Sequence, residues 1–245
     1  MSEFTSQVAL VTGANKGIGF EIAKQLGLKG IKVYVGTRNL QNGYTAVDEL
    51  KSLGINASSI LIDLNDEQSI QDAYTYLNTH EAKLDILVNN AGIIDTEDGI
   101  ASKTALSSVR RTFDTNFFGT LLVTQKMLPL VKKATSGRIV NISSGLGSLT
   151  LNADPNWEHA STKLIGYNSS KAAVNMLTVQ LAWELKETAI KVNAANPNFT
   201  ATELIPNSSG GRPISEGAAT AIQLALLPDD GPTGQLFEDD QVLPW

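Results

Sequence analysis

The 245-residue chain contains no cysteine. That removes disulfides, thiolate nucleophiles and cysteine-based zinc sites together. Histidine is almost as scarce: only His80 and His159 occur, far apart in sequence, which argues against a metal centre and a histidine-based triad. Positive charge is in deficit. Nineteen Lys and Arg face 25 Asp and Glu, a net charge of −6, so the molecule has no general attraction for nucleic acid or anionic membranes. Any bound anion must be held by local groups. No stretch approaches the length of apolar residues that spans a bilayer, and the opening "MSEFTSQ" lacks the features of a signal peptide. The expected location is the cytoplasm. No linker rich in Gly, Pro or Ser divides the chain, and there is no repeat, so residues 1–245 are expected to form a single domain with a large core.

What is present is alternation. Short apolar runs predict strands at 8–13, 32–37, 58–64, 84–90, 137–144 and 190–197, with a weaker one at 234–239. The early runs are nearly continuous in Val, Ile and Leu, as expected of strands covered on both faces. Amphipathic stretches predict helices at 17–29, 42–53, 66–79, 107–133, 162–186 and 215–227, with Asn65 and Ser215 as candidate caps. Strand and helix in turn imply right-handed crossovers. The expected fold is α/β, a doubly wound, Rossmann-type parallel sheet of about seven strands with helices on both faces. The loosest segment, "PNSSGGRP" (206–213), sits before the last helix and suits a loop over a site, about 202–214.

The first strand runs into the first helix through "LVTGANKGIGFEIAKQL" (10–26), with Gly13, Gly17 and Gly19. Gly13 permits a tight exit from the strand, Gly17 lets backbone approach a pyrophosphate at the positive helix end, and Gly19 allows close packing of helix on strand. A glycine turn alone is weak evidence, but here it follows a strand and opens a helix. The second strand ends in "VGTRN" without the carboxylate that would accept from an NAD ribose. Lys16 and Arg38 instead suit a 2′-phosphate, which favours NADP over NAD. Each could also be an ordinary solvated charge. In "GYNSSKAAV" (166–174), Tyr167 and Lys171 are four residues apart and share a helix face. By itself that spacing is met by any surface Tyr and Lys.

"TGANKGIG" (12–19), "NNAG" (89–92), "TNFFGT" (115–120), "GRIVNISS" (137–144) and "YNSSK" (167–171) occur in this order. Together they resemble the short-chain dehydrogenases/reductases over essentially the whole chain, and most of all the NADPH-dependent carbonyl reductases. The resemblance implies reversible hydride transfer between NADPH and a ketone or aldehyde. Tyr167 would donate the proton, and Lys171 would lower its pKa and hold the nicotinamide ribose. "NSS" between them would keep the helix slender beside the cofactor. Ser144 would polarise the carbonyl. Strand alternation puts Ser143 on the opposite face, and a capping role for Ser144 is the alternative. Asn116 would distort its helix and hold a relay water, or be an ordinary surface Asn. Cofactor contacts are implied for Gly13, Asn15, Lys16, Gly17, Ile18, Gly19, Arg38, Asp63, Leu64, Asn90, Ala91, Gly92, Pro197, Thr200 and Thr202, besides Tyr167 and Lys171. Asp63 could equally be an end-of-strand turn residue. No metal is expected, and the partner is a small carbonyl or alcohol, with a homo-oligomer open. The different-class alternative is a catalytically idle NADP-binding sensor.

Two departures stand out. The usual Pro-Gly has become Pro197-Asn198; Asn best tolerates a left-handed backbone among non-Gly residues, so the turn should survive. Residues 145–166 form an insertion beside the substrate site, shorter than that of animal carbonyl reductases. Trp157 could line the pocket or pack the insertion, and His159 is expected to pack.

Overall fold

The continuous apolar runs make the centre of a parallel sheet. In the computed structural model, which describes residues 7–204 and 210–245, the strands are β1 (Val8–Thr12), β2 (Lys32–Thr37), β3 (Ala57–Leu61), β4 (Ile86–Asn89), β5 (Arg138–Ile142), β6 (Lys191–Ala195) and β7 (Leu236–Glu238). They pair in the order β3-β2-β1-β4-β5-β6-β7, all parallel. An eighth strand not expected from the sequence, β8 (Gln241–Leu243), joins β7 antiparallel at the edge.

Alternation along each strand feeds two cores. Ala9, Val11, Val33 and Val35 pack against α1 (Gly17–Leu28), α2 (Leu40–Ser52) and α8 (Ile214–Ala225). Val8, Leu10, Leu87 and Ile139 pack on the other face, against α3 (Glu67–His80), α5 (Thr120–Val131) and α7 (Ile165–Glu184). Fully burying one such side chain stabilises the fold by roughly 1.5–3 kcal/mol.

Local chemistry moves several expected boundaries. Helix α3 is capped by Asp66, whose side chain accepts from Gln68 N–H, rather than by Asn65. Ser215 lies inside α8, which starts at Ile214 after Pro213, as proline's fixed φ and missing N–H allow. The stretch expected as one helix over 107–133 is three pieces: α4 (Leu106–Phe113), a π-helical turn (Asp114–Gly119) and α5. The insertion holds a 3₁₀ turn (Gly145–Gly147) and α6 (Leu149–Ala153). Among the described residues no helix is long and apolar enough to cross a membrane.

The chain leaves β1 for one side of the sheet and returns at β4 on the other side of β1. The strand order reverses there, opening a crevice at the carboxyl ends of β1 and β4.

Candidate active site

The glycine turn lines one side of that crevice. Gly13 and Gly17 have φ of 63° and 60°, a conformation that costs a side chain energy. At Gly19 the obstacle is space: a Cβ would lie 2.6 Å from the Gly13 carbonyl and collide with Asn90 Nδ2. Gly17, by contrast, faces open space, with only the Thr202 methyl 3.9 Å from where a Cβ would be. Ile18 is half-buried against the core, and Asn15 accepts from Thr37 Oγ1 (3.4 Å).

Asn90 does more for this turn than the motif implied. Its Nδ2 donates to the carbonyls of Thr12 (2.9 Å) and Gly13 (3.2 Å), and the N–H groups of Asn90 and Ala91 both donate to Thr12 Oγ1. The "NNAG" segment therefore clamps the end of β1. The two cations differ in state. Arg38 is exposed and makes no ion pair among the described residues, whereas Lys16 pairs with Glu203 from the loop after β6. Asp63 uses a carboxylate oxygen to accept from Asn65 N–H (3.0 Å), the turn role weighed for it, and Leu64 is buried under Gly119.

At the other end, α7 brings Tyr167 and Lys171 to the carboxyl edge of β5. Both are buried, 7% and 4% exposed. The Lys171 ammonium donates to the Ile142 carbonyl (2.8 Å) and lies 5.6 Å from the Tyr167 ring centroid. It has three hydrogens, and among the described residues this is its one hydrogen bond. Ser144 Oγ accepts from Leu146 N–H (3.1 Å), capping the 3₁₀ turn, and also interacts with the Tyr167 hydroxyl. Capping uses an oxygen lone pair, so the hydroxyl hydrogen stays available to donate. Ser143 points away, donating to Asn175 Oδ1 at 2.5 Å.

The electrostatics correct one expectation. Burial pushes the Tyr167 phenol up to about 12, opposed by the Ser144 hydrogen bond. Burial also pushes Lys171 down to about 8. The ammonium lies against the ring and turns to the Ile142 carbonyl, and desolvation, which disfavours both charged forms, outweighs its pull on the phenol.

Asn116 is buried within the π turn, so the helix distortion is present. Its Oδ1 accepts from Ile93 N–H (2.8 Å), while Nδ2 donates to the Ile93 carbonyl (2.9 Å) and Ser170 Oγ (3.0 Å). Gly92 lies between Asn116 and Lys171: a Cβ there would be 3.3 Å from Asn116 Oδ1 and 3.5 Å from Lys171 Nζ. Ser170 is not merely a slender residue, because it links Tyr167 and Asn116 by donating to the Tyr167 carbonyl (2.8 Å).

After β6, Asn198 has φ of 56° and so supplies the left-handed turn that glycine would. Its Nδ2 donates to Glu238 Oε1 (2.6 Å). The Thr200 hydroxyl is buried and donates to the Pro197 carbonyl (2.9 Å), which leaves Thr202 as the threonine that reaches the glycine turn. Residues 205–209 of the expected substrate loop lie outside the described residues. In the insertion, Trp157 comes to 3.2 Å of a Cβ placed on Gly145, and His159 packs edge-on against it at 5.3 Å.

Two features escaped the sequence reading. Asn89 and Asn141, register partners on β4 and β5, form a buried polar row: Asn89 Nδ2 donates to Thr124 and Asn141 (2.9 and 2.8 Å), and Asn141 Nδ2 donates to Thr178 (2.9 Å). It ties α5, the sheet and α7 together, and an Asn within the Val- and Ile-rich run of each strand was its signal. Asp98, which accepts from the first-turn amides of α7, is the other.

This crevice, with its glycine turn and Ser, Tyr and Lys, defines an oxidoreductase, and the chain belongs to the short-chain dehydrogenase family. The family profile matches residues 7–212. A short-chain dehydrogenase, anuI, of Penicillium roqueforti is 35% identical over 243 residues, covering 97% of this chain and 94% of that protein. Carbonyl reductase (NADPH) 1 of Mus musculus is 33% identical over 286 aligned positions, covering 97% and 98%. The structure of salutaridine reductase from Papaver somniferum superposes with a TM-score of 0.80 at 28% identity, covering 95% and 99%. Membership implies a nicotinamide cofactor, and the residues fit one. The open face of Gly17 leaves room for phosphate, and among the described residues only one of the three Lys171 ammonium hydrogens is engaged, which leaves two for hydroxyl groups.

Proposed function

We propose that the protein is an NADPH-dependent reductase of ketones or aldehydes, reversible as an alcohol dehydrogenase and working in the cytoplasm. One observation carries the reading: Tyr167 and Lys171 are buried together at the carboxyl edge of β5, the ammonium 5.6 Å from the phenol ring centroid. The cofactor, when bound, supplies a hydride. Lys16 and Arg38 would hold its 2′-phosphate, the Gly13–Gly19 turn its pyrophosphate, Asp63, Leu64 and the 90–92 backbone its adenosine half, and Lys171 the nicotinamide ribose. Pro197 and Thr202 would face the nicotinamide.

On the carbonyl, Ser144 donates a hydrogen bond that stabilises the developing negative charge. Tyr167 donates its proton to the same oxygen. Its pKa of about 12 keeps it protonated across the neutral range, which suits a donor in the reducing direction. Asn116 holds the water through which Lys171 and then Tyr167 are reprotonated. The name of the mouse relative, a carbonyl reductase using NADPH, agrees with this chemistry.

A panel of activated ketones and aldehydes, run with NADPH and NADH side by side, tests the proposal. Wild-type protein should oxidise NADPH in preference to NADH, and Arg38→Asp should reverse the order by removing a cation and installing a repelling carboxylate. Tight NADPH binding without turnover of any carbonyl would instead mark an idle sensor.

A further inference from the structure

Helix α7 begins without a cap of its own. Leu164 stands at the N-cap position and offers no side-chain acceptor, so the first-turn amides need partners from elsewhere. They find them far away in sequence. Ile165 N–H donates to the Gly99 carbonyl (2.8 Å), Gly166 N–H to Asp98 Oδ1 (3.0 Å) and Tyr167 N–H to Asp98 Oδ2 (2.7 Å). The helix's own ladder takes over at the next residue, where Asn168 N–H donates to the Leu164 carbonyl (2.8 Å). One carboxylate thus serves the backbone of Tyr167 and of the residue before it.

The approach depends on Gly166. A Cβ there would lie 3.0 Å from Asp98 Oδ2 and 3.3 Å from its Cγ. The far side of the strap is anchored as well. Asp98 N–H donates to the Asp95 carbonyl (3.0 Å), and the Asp95 carboxylate accepts from Arg111 Nε (2.7 Å) and Ser108 Oγ (2.9 Å) on α4. Arg111 holds Asp95 well below the usual carboxylate range. Ile93 is gripped by the Asn116 side chain through both its N–H and its carbonyl. Residues 93–99 therefore run from Asn116, across α4, to the Tyr167 backbone.

We propose that Asp98 is a positioning residue for Tyr167, setting the phenol's placement through the first turn of α7 and so governing turnover rather than cofactor affinity. The proposal rests on Tyr167 being the proton donor. A carboxylate accepting from backbone amides at a helix N-terminus makes charge-assisted bonds in a favourable field. Its loss frees the turn that carries the phenol, and a misplacement of about 1 Å at a reacting group can cost on the order of 100-fold in rate. Lys171, one turn further on, keeps its own anchor on Ile142.

The test compares Asp98→Ala, Asp98→Asn and Gly166→Ala with wild type. It reads kcat, KM for the carbonyl, Kd for NADPH by fluorescence, and backbone amide exchange at Gly166 and Tyr167. Asp98→Ala should lose about tenfold or more in kcat per folded molecule while the NADPH Kd stays within about twofold. Asp98→Asn keeps one acceptor oxygen and should fall between. Gly166→Ala leaves the carboxylate in place chemically but pushes it away, and should give the same split. A wild-type kcat in Asp98→Ala, or kcat and NADPH affinity falling in parallel, would overturn the proposal. If wild type reduces no carbonyl, the proton-donor reading fails instead; unchanged exchange at the two amides in Asp98→Ala would then sink the positioning role separately.

Discussion

At the scale of single residues, burial governs the site. Lys171 has a lowered pKa of about 8 against an ordinary 10.5. Below pH 8 both the folded and unfolded chains hold the proton, and the fold bears the full cost of a desolvated ammonium. Between pH 8 and 10.5 the unfolded chain holds more protons, so stability contributed by this group rises with pH until the penalty is gone. Lys171→Met should therefore be more stable than wild type at pH 7, by roughly 1–2 kcal/mol once the lost bond to Ile142 is subtracted. That advantage should disappear by pH 10.5, even though activity is lost throughout. Denaturant titrations at the two pH values measure it, and a variant equally or less stable at pH 7 would show that the ammonium is not penalised. The direction of the Tyr167 shift was not legible in the sequence. A Tyr-Lys pair at one-turn spacing says that the groups share a face; whether charge or desolvation wins depends on how much water the fold removes.

At the scale of elements, the glycine turn is a packing device as much as a phosphate cradle. Gly19→Ala places a methyl against Asn90 Nδ2 and the Gly13 carbonyl, and overpacking of this kind costs about 1–3 kcal/mol. Thermal unfolding should register that loss, and NADPH titration should show weaker binding; a variant with wild-type behaviour in both would mean the turn has room to spare. Most elements were legible because Val-, Ile- and Leu-rich runs have only one way to be buried on both sides. β8 was not, since three edge residues, two of them exposed, are too short a run to carry a periodic signal. The break in the 107–133 helix was invisible to periodicity as well: a π turn adds one residue without removing apolar character, and only the resemblance at Asn116 pointed to it. The cap supplied by Asp98 could not be read at all. It joins residues 69 apart, and nothing in "DTEDGI" distinguishes its acids from solvated ones.

At the scale of the whole molecule, a chain of net charge −6 is proposed to bind a cofactor that is itself an anion. Long-range attraction cannot supply that, so selectivity must come from a few groups gathered where the sheet reverses direction. The chain brings them there from end to end: the turn after β1, Arg38 after β2, the "NNAG" clamp after β4, Ser144 after β5, α7, and the loop after β6. Sequence motifs located each of these in its proper element, because each sits at a carboxyl strand end or on a helix face. The states of the individual groups were not located: Lys16 paired with Glu203, and Thr200 turned inward to Pro197. Those depend on contacts between loops that sequence spacing does not encode.

The most direct measurement is the turnover of Tyr167→Phe with NADPH and an activated ketone, taken together with its NADPH affinity. The proton-donor role predicts a rate reduced by roughly 100-fold or more, with cofactor affinity within about twofold of wild type, since only one hydroxyl is removed. A phenylalanine variant that reduces the ketone at the wild-type rate would contradict the account at its centre.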